Sequence, residues 1–190
     1  MAKQGFWSDP VIEPKRQHKW LLRLDNVPAW VVKVVKKPSF SVSEIEHNYI
    51  NHKFYYPGRV EWDTIDLTLV DPVEPDASAT MMNALMASGW LPPEDPQLAS
   101  HAISKEKATR ALGTVRIQQI GNREGDVLEE WTLNNAWITK VDFGELSYDD
   151  DGMVEISVSV RYDWATMTKS GGKSGLLGGL GSAIGSALGF

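Results

Sequence analysis

Apolar and polar residues alternate most regularly between Val154 and Trp164. Every second side chain in this stretch is apolar, the set being Val154, Ile156, Val158, Val160, Tyr162 and Trp164. An α-helix would scatter these side chains around its circumference, whereas a strand places all of them on one face. The pattern therefore predicts a β-strand with one buried face.

A second alternating stretch, Val60–Val70, changes phase near its middle. Val60 and Trp62 share one phase, but the apolar residues from Ile65 onward share the other. Such a slip predicts a bulge or bend near Asp63–Thr64. Similar runs predict further strands at Trp20–Leu24, Trp30–Lys36, Ser39–Glu46, Thr114–Ile120, Leu128–Leu133 and Ala136–Phe143. Turns are predicted at Gly121–Gly125 and Asp149–Gly152.

Two short helices interrupt the strand pattern. Asp76 is placed to cap a helix over Ala77–Ser88, and Gly89 follows as a stop signal. The apolar spacing predicts that its buried stripe is formed by Met81, Met82, Leu85 and Met86. Ser104 can cap a second helix that ends near Ala111.

The segment His47–Gly58 is long, polar and rich in aromatic residues. A structureless loop of this length is uncommon in a compact domain. Two interpretations fit the residues: a hairpin that projects from the domain, or an ordinary hairpin packed on its own domain.

Composition and charge narrow the functional classes. The 190 residues fit one domain, contain eight Trp and carry a net charge of −6, which argues against a surface that neutralises DNA. No Cys is present, so disulfides, thiolate metal sites and a Cys nucleophile are excluded. We expect no membrane span, because no stretch approaches roughly 20 apolar residues.

The sequence offers no convincing catalytic or cofactor site. Gly172-Lys173-Ser174 resembles the end of a phosphate-binding loop, but Met167 stands where that motif requires Gly. The four His residues are scattered, and no nucleophile elbow is present. We therefore predict that the chain is not an enzyme and binds no metal or cofactor.

The order and spacing of several blocks resemble the tail tube proteins of contractile-tailed bacteriophages. The resemblance spans about Trp20 to Trp164 and rests on Tyr56–Gly58, Trp62–Asp71, Gly113–Gln119, Glu130–Ile138, Gly144–Tyr148 and Val154–Trp164. It implies a mainly β fold, a β-sandwich or barrel of two packed antiparallel sheets. One or two short helices would flank the sheets, with a long projecting hairpin and extended termini. The expected organisation is an N-terminal arm at 1–16, the β domain at 17–169 and a Gly-rich tail at 170–190.

The same resemblance implies a structural function in a virion tail, assembled in the host bacterial cytoplasm. Copies would form hexameric rings stacked into a tube, whose lumen conducts DNA during ejection. The implied partners are the sheath, baseplate and tail-terminator proteins outside, with tape-measure protein and DNA transiently in the lumen.

Two sets of residues are candidates for these contacts. We expect the projecting segment to contact the adjacent ring and join the two rings. The residues expected to make this contact are His47, Tyr49, His52, Phe54, Tyr55 and Tyr56. An acidic lumen would repel phosphates, and the candidates for lining it are Glu61, Asp63, Asp66, Glu155 and Asp163. Two alternatives stay open: a tube protein of a related contractile injection or secretion system, and a monomeric β-sandwich binding module.

Overall fold

The computed structural model describes residues 14–24, 27–92, 102–122, 126–149 and 151–169. Within them the chain forms ten strands, two α-helices and one 3₁₀ turn at Ala29–Val31. The strands are β1 Trp20–Arg23, β2 Val32–Val35, β3 Phe40–Tyr49, β4 His52–Trp62, β5 Ile65–Val70, β6 Val115–Ile120, β7 Val127–Asn134, β8 Trp137–Asp142, β9 Glu155–Arg161 and β10 Trp164–Lys169. The helices are α1 Ala77–Ala87 and α2 Lys105–Leu112.

Eight of these strands form two four-stranded sheets. The first sheet has the order β1-β6-β7-β10, and the second has the order β2-β5-β9-β8. Strands β3 and β4 pair only with each other, as a long hairpin. All neighbouring strands are antiparallel. The predicted fold class, two antiparallel sheets with two flanking helices and a projecting hairpin, is confirmed.

The core lies between the two sheets. Its fully buried side chains come from alternate positions of facing strands and include Leu22, Ile65, Leu67, Leu69, Val115, Ile117, Ile156 and Val160. Strand β5 shows the alternation most simply, since its odd-numbered residues from Ile65 to Leu69 are buried and Asp66 is exposed. Burying each such side chain contributes about 1.5–3 kcal/mol, so this core holds the sandwich together.

The single strand predicted over Val154–Trp164 is wrong. Strand β9 ends at Arg161, the chain turns at Tyr162–Asp163, and Trp164 begins β10 in the other sheet. Tyr162 stays buried at this corner. Alternation therefore continues through the change of sheet, and a period of two cannot distinguish one strand from two.

Two other predicted strands are interrupted, one by a bend and one by a turn at its start. The phase change near Asp63–Thr64 marks the point where β4 ends and β5 begins, as the predicted bend requires. Trp30–Lys36 begins as a 3₁₀ turn and becomes extended only at Val32. The β-branched residues of this run favour a strand, but Pro28 fixes the turn that precedes it.

The two helices begin where the capping residues predict. The Asp76 carboxylate accepts a hydrogen bond from the Ala79 N–H, and the Ser104 hydroxyl accepts one from the Lys107 N–H. After α1, Gly89 adopts a φ of 108°, a conformation that favours glycine.

The predicted buried stripe of α1 is wrong in part. Met81 is buried, but Met82 and Met86 are 38% and 39% exposed. Ala77 and Met81 lie one helical turn apart and form the face against the sandwich, whereas Met82 lies about 100° further round.

Several predicted features lie outside the described residues. These are most of the N-terminal arm, the whole Gly-rich tail, part of the Gly121–Gly125 turn and one residue of the Asp149–Gly152 turn.

Candidate assembly interface

The hairpin β3–β4 is the most unusual feature of the described structure. Every residue of β3 is exposed, and only Gly58 and Trp62 of β4 are partly covered. At about 3.3 Å per residue, its arms extend roughly 33 Å. Because its residues are exposed on both faces, the hairpin projects from the domain, as one of the two interpretations predicts, and it begins at Phe40 rather than at His47. An isolated two-stranded ribbon is only marginally stable in water.

The root of the hairpin is fixed to the sandwich by hydrogen bonds and aromatic contacts. The Asp63 N–H donates to the Ser39 carbonyl over 2.9 Å, and the Ser39 hydroxyl donates to the Asp63 carboxylate over 2.8 Å. The Trp62 ring contacts Phe40 and Tyr162, with centroids 5.3 Å and 5.9 Å apart. Burial, reinforced by the charge of Asp63, raises the pKa of Tyr162, which keeps its hydroxyl neutral. The root of the hairpin is thus held to the domain by two hydrogen bonds and two ring contacts.

A bulge divides the hairpin into two halves. Val42 pairs with Val60 but Glu44 pairs with Pro57, so the single residue Ser43 faces two residues of β4. The Arg59 N–H donates to the Ser43 hydroxyl over 2.8 Å. A Cβ at Gly58 would lie 2.9 Å from the Ser43 carbonyl oxygen, so the close approach of the strands requires glycine here.

The bulge moves the apolar side of the hairpin from one face to the other. On the root side, the apolar pairs Phe40–Trp62 and Val42–Val60 share one face. Beyond the bulge the pairs on the opposite face are the apolar and aromatic ones, namely Ile45–Tyr56, His47–Phe54 and Tyr49–His52. Side chains directly opposite each other in an antiparallel pair point to the same side. Each half therefore presents its large side chains in a different direction.

Five of the six predicted ring-stacking residues lie on the apolar and aromatic face of the hairpin beyond the bulge. His47, Tyr49, His52, Phe54 and Tyr56 lie there, whereas Tyr55 pairs with Glu46 on the opposite face. The sequence predicts these six residues as a group, but the bulge determines which of them share a face of the hairpin.

The tip of the hairpin is a two-residue turn, Ile50–Asn51. Ile50 has a φ of 53° and is 83% exposed. A β-branched residue rarely adopts this conformation, and hairpin turns normally place Asn or Gly there. The tip therefore displays an apolar side chain against its backbone preference.

The predicted lumen-lining residues fall into separate places. Asp66 and Glu155 both lie on the outer face of the second sheet, where Asp66 pairs with Ser159 and Val70 with Glu155. Their neighbours on that face include Thr68, Ser157 and Ser159. The outer face of the second sheet is therefore a polar surface that carries both signs of charge. Asp66, Asp142 and Glu155 lie on it with Lys140 and Arg161, and Glu155 forms an ion pair with Lys33.

The other three acidic candidates lie away from that face. Glu61 lies on the hairpin near its root, and Asp63 closes the root. Asp163 accepts hydrogen bonds from Lys105 and Asn135, which lower its pKa. Asp63 and Asp163 are thus engaged in contacts within their own chain, as are Glu155, which pairs with Lys33, and Asp66, which accepts a hydrogen bond from the Ser159 hydroxyl.

A buried carboxylate that the sequence analysis did not identify lies in the first sheet. Glu129 accepts hydrogen bonds from Lys15, Lys37 and the Trp131 indole. Burial alone would raise its pKa, but the hydrogen bonds from Lys15, Lys37 and Trp131 outweigh it and lower the pKa to about 2. The signal was available in the sequence, since Glu129 shares the apolar phase of Trp131 and Leu133. This node fastens the segment before β1 and the segment after β2 to the sandwich.

The described residues contain no evident chemical site. No group of three or more His, Asp or Glu among them could hold a metal ion. An apolar groove of about 350 Å³ lies between α1, α2 and β8, lined by Met82, Leu85, Ile103, Trp137 and Phe143 among others. None of the helices in the described part of the chain is both long and apolar enough to cross a membrane.

Similarity to known proteins is found at the level of structure. No protein-family model matches the sequence, and no curated protein matches it. A chain of the anti-feeding prophage cap, the AFP tube terminating cap, is 16% identical with a TM-score of 0.62, covering 90% of this chain and 100% of that one.

Two chains of an extracellular contractile injection system, PVC, are similar to the same degree. One is from the sheath-tube complex in the extended state, with 14% identity, a TM-score of 0.61 and coverage of 84% and 94%. The other is from the sheath/tube terminator, with 14% identity, a TM-score of 0.59 and coverage of 83% and 99%. This chain therefore shares its fold with chains of contractile tube assemblies, the fold that its resemblance to tail tube proteins implies.

Proposed function

We propose that this chain is the structural subunit of the inner tube of a contractile phage tail. Copies form hexameric rings, and the rings stack around a lumen through which DNA is ejected. The observation that carries the proposal is the hairpin: a ribbon of about 33 Å, bare on both faces, with a different apolar face on each half. Such a ribbon is stabilised when other copies cover it.

The edges of the two sheets support ring formation. Strands β1 and β10 end the first sheet, and β2 and β8 end the second, so each has one edge without a partner strand in the described chain. Exposed edges are templates for pairing with another chain. Pairing of edges between neighbours around a closed ring removes this liability.

The polar outer face of the second sheet is the proposed wall of the lumen. Asp66 on this face would repel the phosphates of passing DNA, so that the DNA slides without binding, whereas the charge of Glu155 is paired with Lys33. The small side chains of Ser157 and Ser159 beside them present no large apolar surface. Of the five acidic candidates, Asp66 and Glu155 share one face of a sheet.

The tube would be surrounded by a sheath protein, begin at a baseplate and end at a terminator protein. Tape-measure protein and then DNA would occupy the lumen. The location is the tail of the virion, with assembly in the host bacterial cytoplasm, and no enzymatic activity or cofactor is part of the proposal.

A tube subunit of a related contractile injection or secretion system is the second candidate, favoured by the fold shared with chains of the AFP and PVC assemblies. The tube contents distinguish the two, since a phage tube carries DNA. A monomeric β-sandwich binding module has one observation in its favour, the apolar groove beside α1 and α2. It predicts a monomer in which the hairpin stays bare.

The experiment that tests the proposal shortens the hairpin without disturbing its root. Replacing His47–Phe54 by Asn-Gly closes the paired residues Glu46 and Tyr55 with a favoured two-residue turn. We expect this variant to fold and to form single rings, whereas the unaltered chain forms stacked tubes. Tubes of normal length from the shortened chain would contradict a stacking role for the hairpin.

A further inference from the structure

The topology places two loops at the end of the second sheet opposite the hairpin root. Strand β5 leaves the root at Ile65 and reaches the far end at Val70. The following residue, Asp71, donates its N–H to the Val154 carbonyl over 3.0 Å. Residues 71–76, 143–149 and 151–154 therefore lie at the far end, and we call them the far-end loops.

The far-end loops expose large apolar side chains. Val73 and Tyr148 are essentially fully exposed, Leu146 is 83% exposed and Met153 is 70% exposed. None of these four residues lies in a helix or strand, so no regular face of the fold requires them. Large apolar side chains exposed among acidic residues on neighbouring loops are a feature of protein–protein contact sites.

The charges of the far-end loops and the hairpin tip are complementary. The sequence of 71–76 and 143–154 contains acidic residues but no Lys, Arg or His. Glu74, Glu145, Asp149 and Asp151 are exposed there. The tip, His47–Phe54, contains Lys53 and two His but no Asp or Glu. Lys53 also contacts Glu46 over 2.9 Å, but both side chains are exposed, so this pair holds Lys53 only weakly.

We propose that the far-end loops are the receptor for the hairpin tip of a second copy of this chain. The apolar side chains of Tyr49, Ile50 and Phe54 would contact those of Leu146, Tyr148 and Met153, with Lys53 near the carboxylates. The inference rests on the proposed function, because it names the surface on which the hairpin stacks.

The two surfaces are different, so their contact is heterologous and runs head to tail. Such a contact does not close on itself and propagates a stack. Pairing of far-end loops with far-end loops would bring like charges together, which disfavours the reversed orientation. The same contact that joins two rings therefore also sets the polarity of the stack.

The test uses two complementary variants of the full chain. The loop variant carries Leu146→Ser and Tyr148→Ser, and the tip variant carries Tyr49→Ser and Phe54→Ser. All four side chains are exposed, so both variants should fold, which circular dichroism checks. Met82→Ser, an exposed apolar change on α1, is the matched control and should assemble as the unaltered chain does.

We expect each variant alone to need at least tenfold more protein to form stacks, as measured by sedimentation and electron microscopy. An equimolar mixture of their rings should give pairs of rings and nothing longer. The intact tip of the loop variant can bind the intact loops of the tip variant, after which neither free end is functional. Stacks of normal length from the loop variant, or a mixture without ring pairs, would overturn the inference.

Charge reversal gives a second readout. Lys53→Glu should weaken stacking by roughly tenfold, and adding Glu145→Lys with Asp149→Lys to the same chain should restore it. Arg110→Glu, on the exposed face of α2, is the control for charge alone. If Lys53→Glu weakens stacking and the loop reversals do not restore it, the loops are not the receptor. If the unaltered chain forms no rings at all, the proposed function itself fails.

Discussion

Trp62, the last residue of the hairpin, contacts Tyr162, the residue at which the chain passes from the second sheet to the first. The ring centroids are 5.9 Å apart at an interplanar angle of 56°. The largest side chain of the hairpin root is thus packed on the corner that joins the two sheets. This contact connects the hairpin root to the core.

Removing the Trp62 ring should destabilise the domain and loosen the hairpin root. Because Trp62 is partly exposed, we expect Trp62→Ala to lower the free energy of unfolding by about 2 kcal/mol, below the range for a fully buried aromatic residue. Urea unfolding measures this change. Phe40→Ala is the comparison, and its effect should be smaller since Phe40 is 59% exposed. Equal effects would show that Trp62 is not the anchoring residue.

Gly58→Ala should disrupt the bulge while leaving the sandwich folded. The added Cβ would approach the Ser43 backbone too closely, so the two strands must separate or shift register. We expect faster amide hydrogen exchange in β3 and β4 and little change in the unfolding midpoint of the sandwich. Ser43→Ala removes only the hydroxyl that accepts from the Arg59 N–H. It should lower the free energy of opening the hairpin by about 1 kcal/mol, a smaller change than that caused by Gly58→Ala. Unchanged exchange in the Gly58→Ala hairpin would contradict this account of the bulge.

Ile50→Asn should weaken the stacking of rings without making the hairpin less stable. Asn tolerates a positive φ, so the substitution relieves strain of about 1 kcal/mol at the tip and makes the hairpin no less stable. It also removes an exposed apolar side chain, so stacking should weaken. Hydrogen exchange of the hairpin and the protein concentration needed for stacking measure the two effects. An Ile50→Asn chain that stacks as well as the unaltered chain would show that the strained side chain has no role in contact.

The contacts of Glu129 with Lys15, Lys37 and Trp131 predict that the domain loses stability in acid. The pKa of Glu129 is lowered from 4.5 to about 2 in the folded chain, so folding is favoured by the ionised form. This contribution is complete above about pH 4.5 and is lost as the pH falls toward 2. We expect a loss of roughly 2 kcal/mol across this interval in urea unfolding. The Glu129→Gln variant should be less stable at neutral pH and should lack this part of the pH dependence. If its free energy of unfolding depends on pH as that of the unaltered chain does, ionised Glu129 does not stabilise the fold.

Much of the fold follows from the sequence because strand alternation and helix caps are local. Asp76 and Ser104 begin their helices as predicted, and the phase change at Asp63–Thr64 marks the end of one strand and the start of the next. The corner at Tyr162 was not predictable, because a buried residue between two strands continues the same alternation. Which strands share a sheet is a long-range property that local periodicity does not contain.

The candidate interface was predictable only in outline. The aromatic content of His47–Gly58 indicates an exposed contact segment, but the hairpin extends from Phe40 to Trp62. The change of apolar face depends on one extra residue opposite Ser43, which the sequence shows only as a glycine at position 58. The grouping of Asp66 with Glu155 depends on strand pairing, whereas the charge of each residue alone made all five acidic candidates equivalent.

Electron cryomicroscopy of the purified 190-residue chain tests most directly whether it assembles into a hollow tube of stacked rings. We expect tubes of uniform diameter, built from rings of six, with Asp66 and Glu155 facing the lumen and each hairpin covered by neighbouring copies. A protein that stays monomeric at high concentration, or a tube in which the hairpins remain bare, would contradict this expectation.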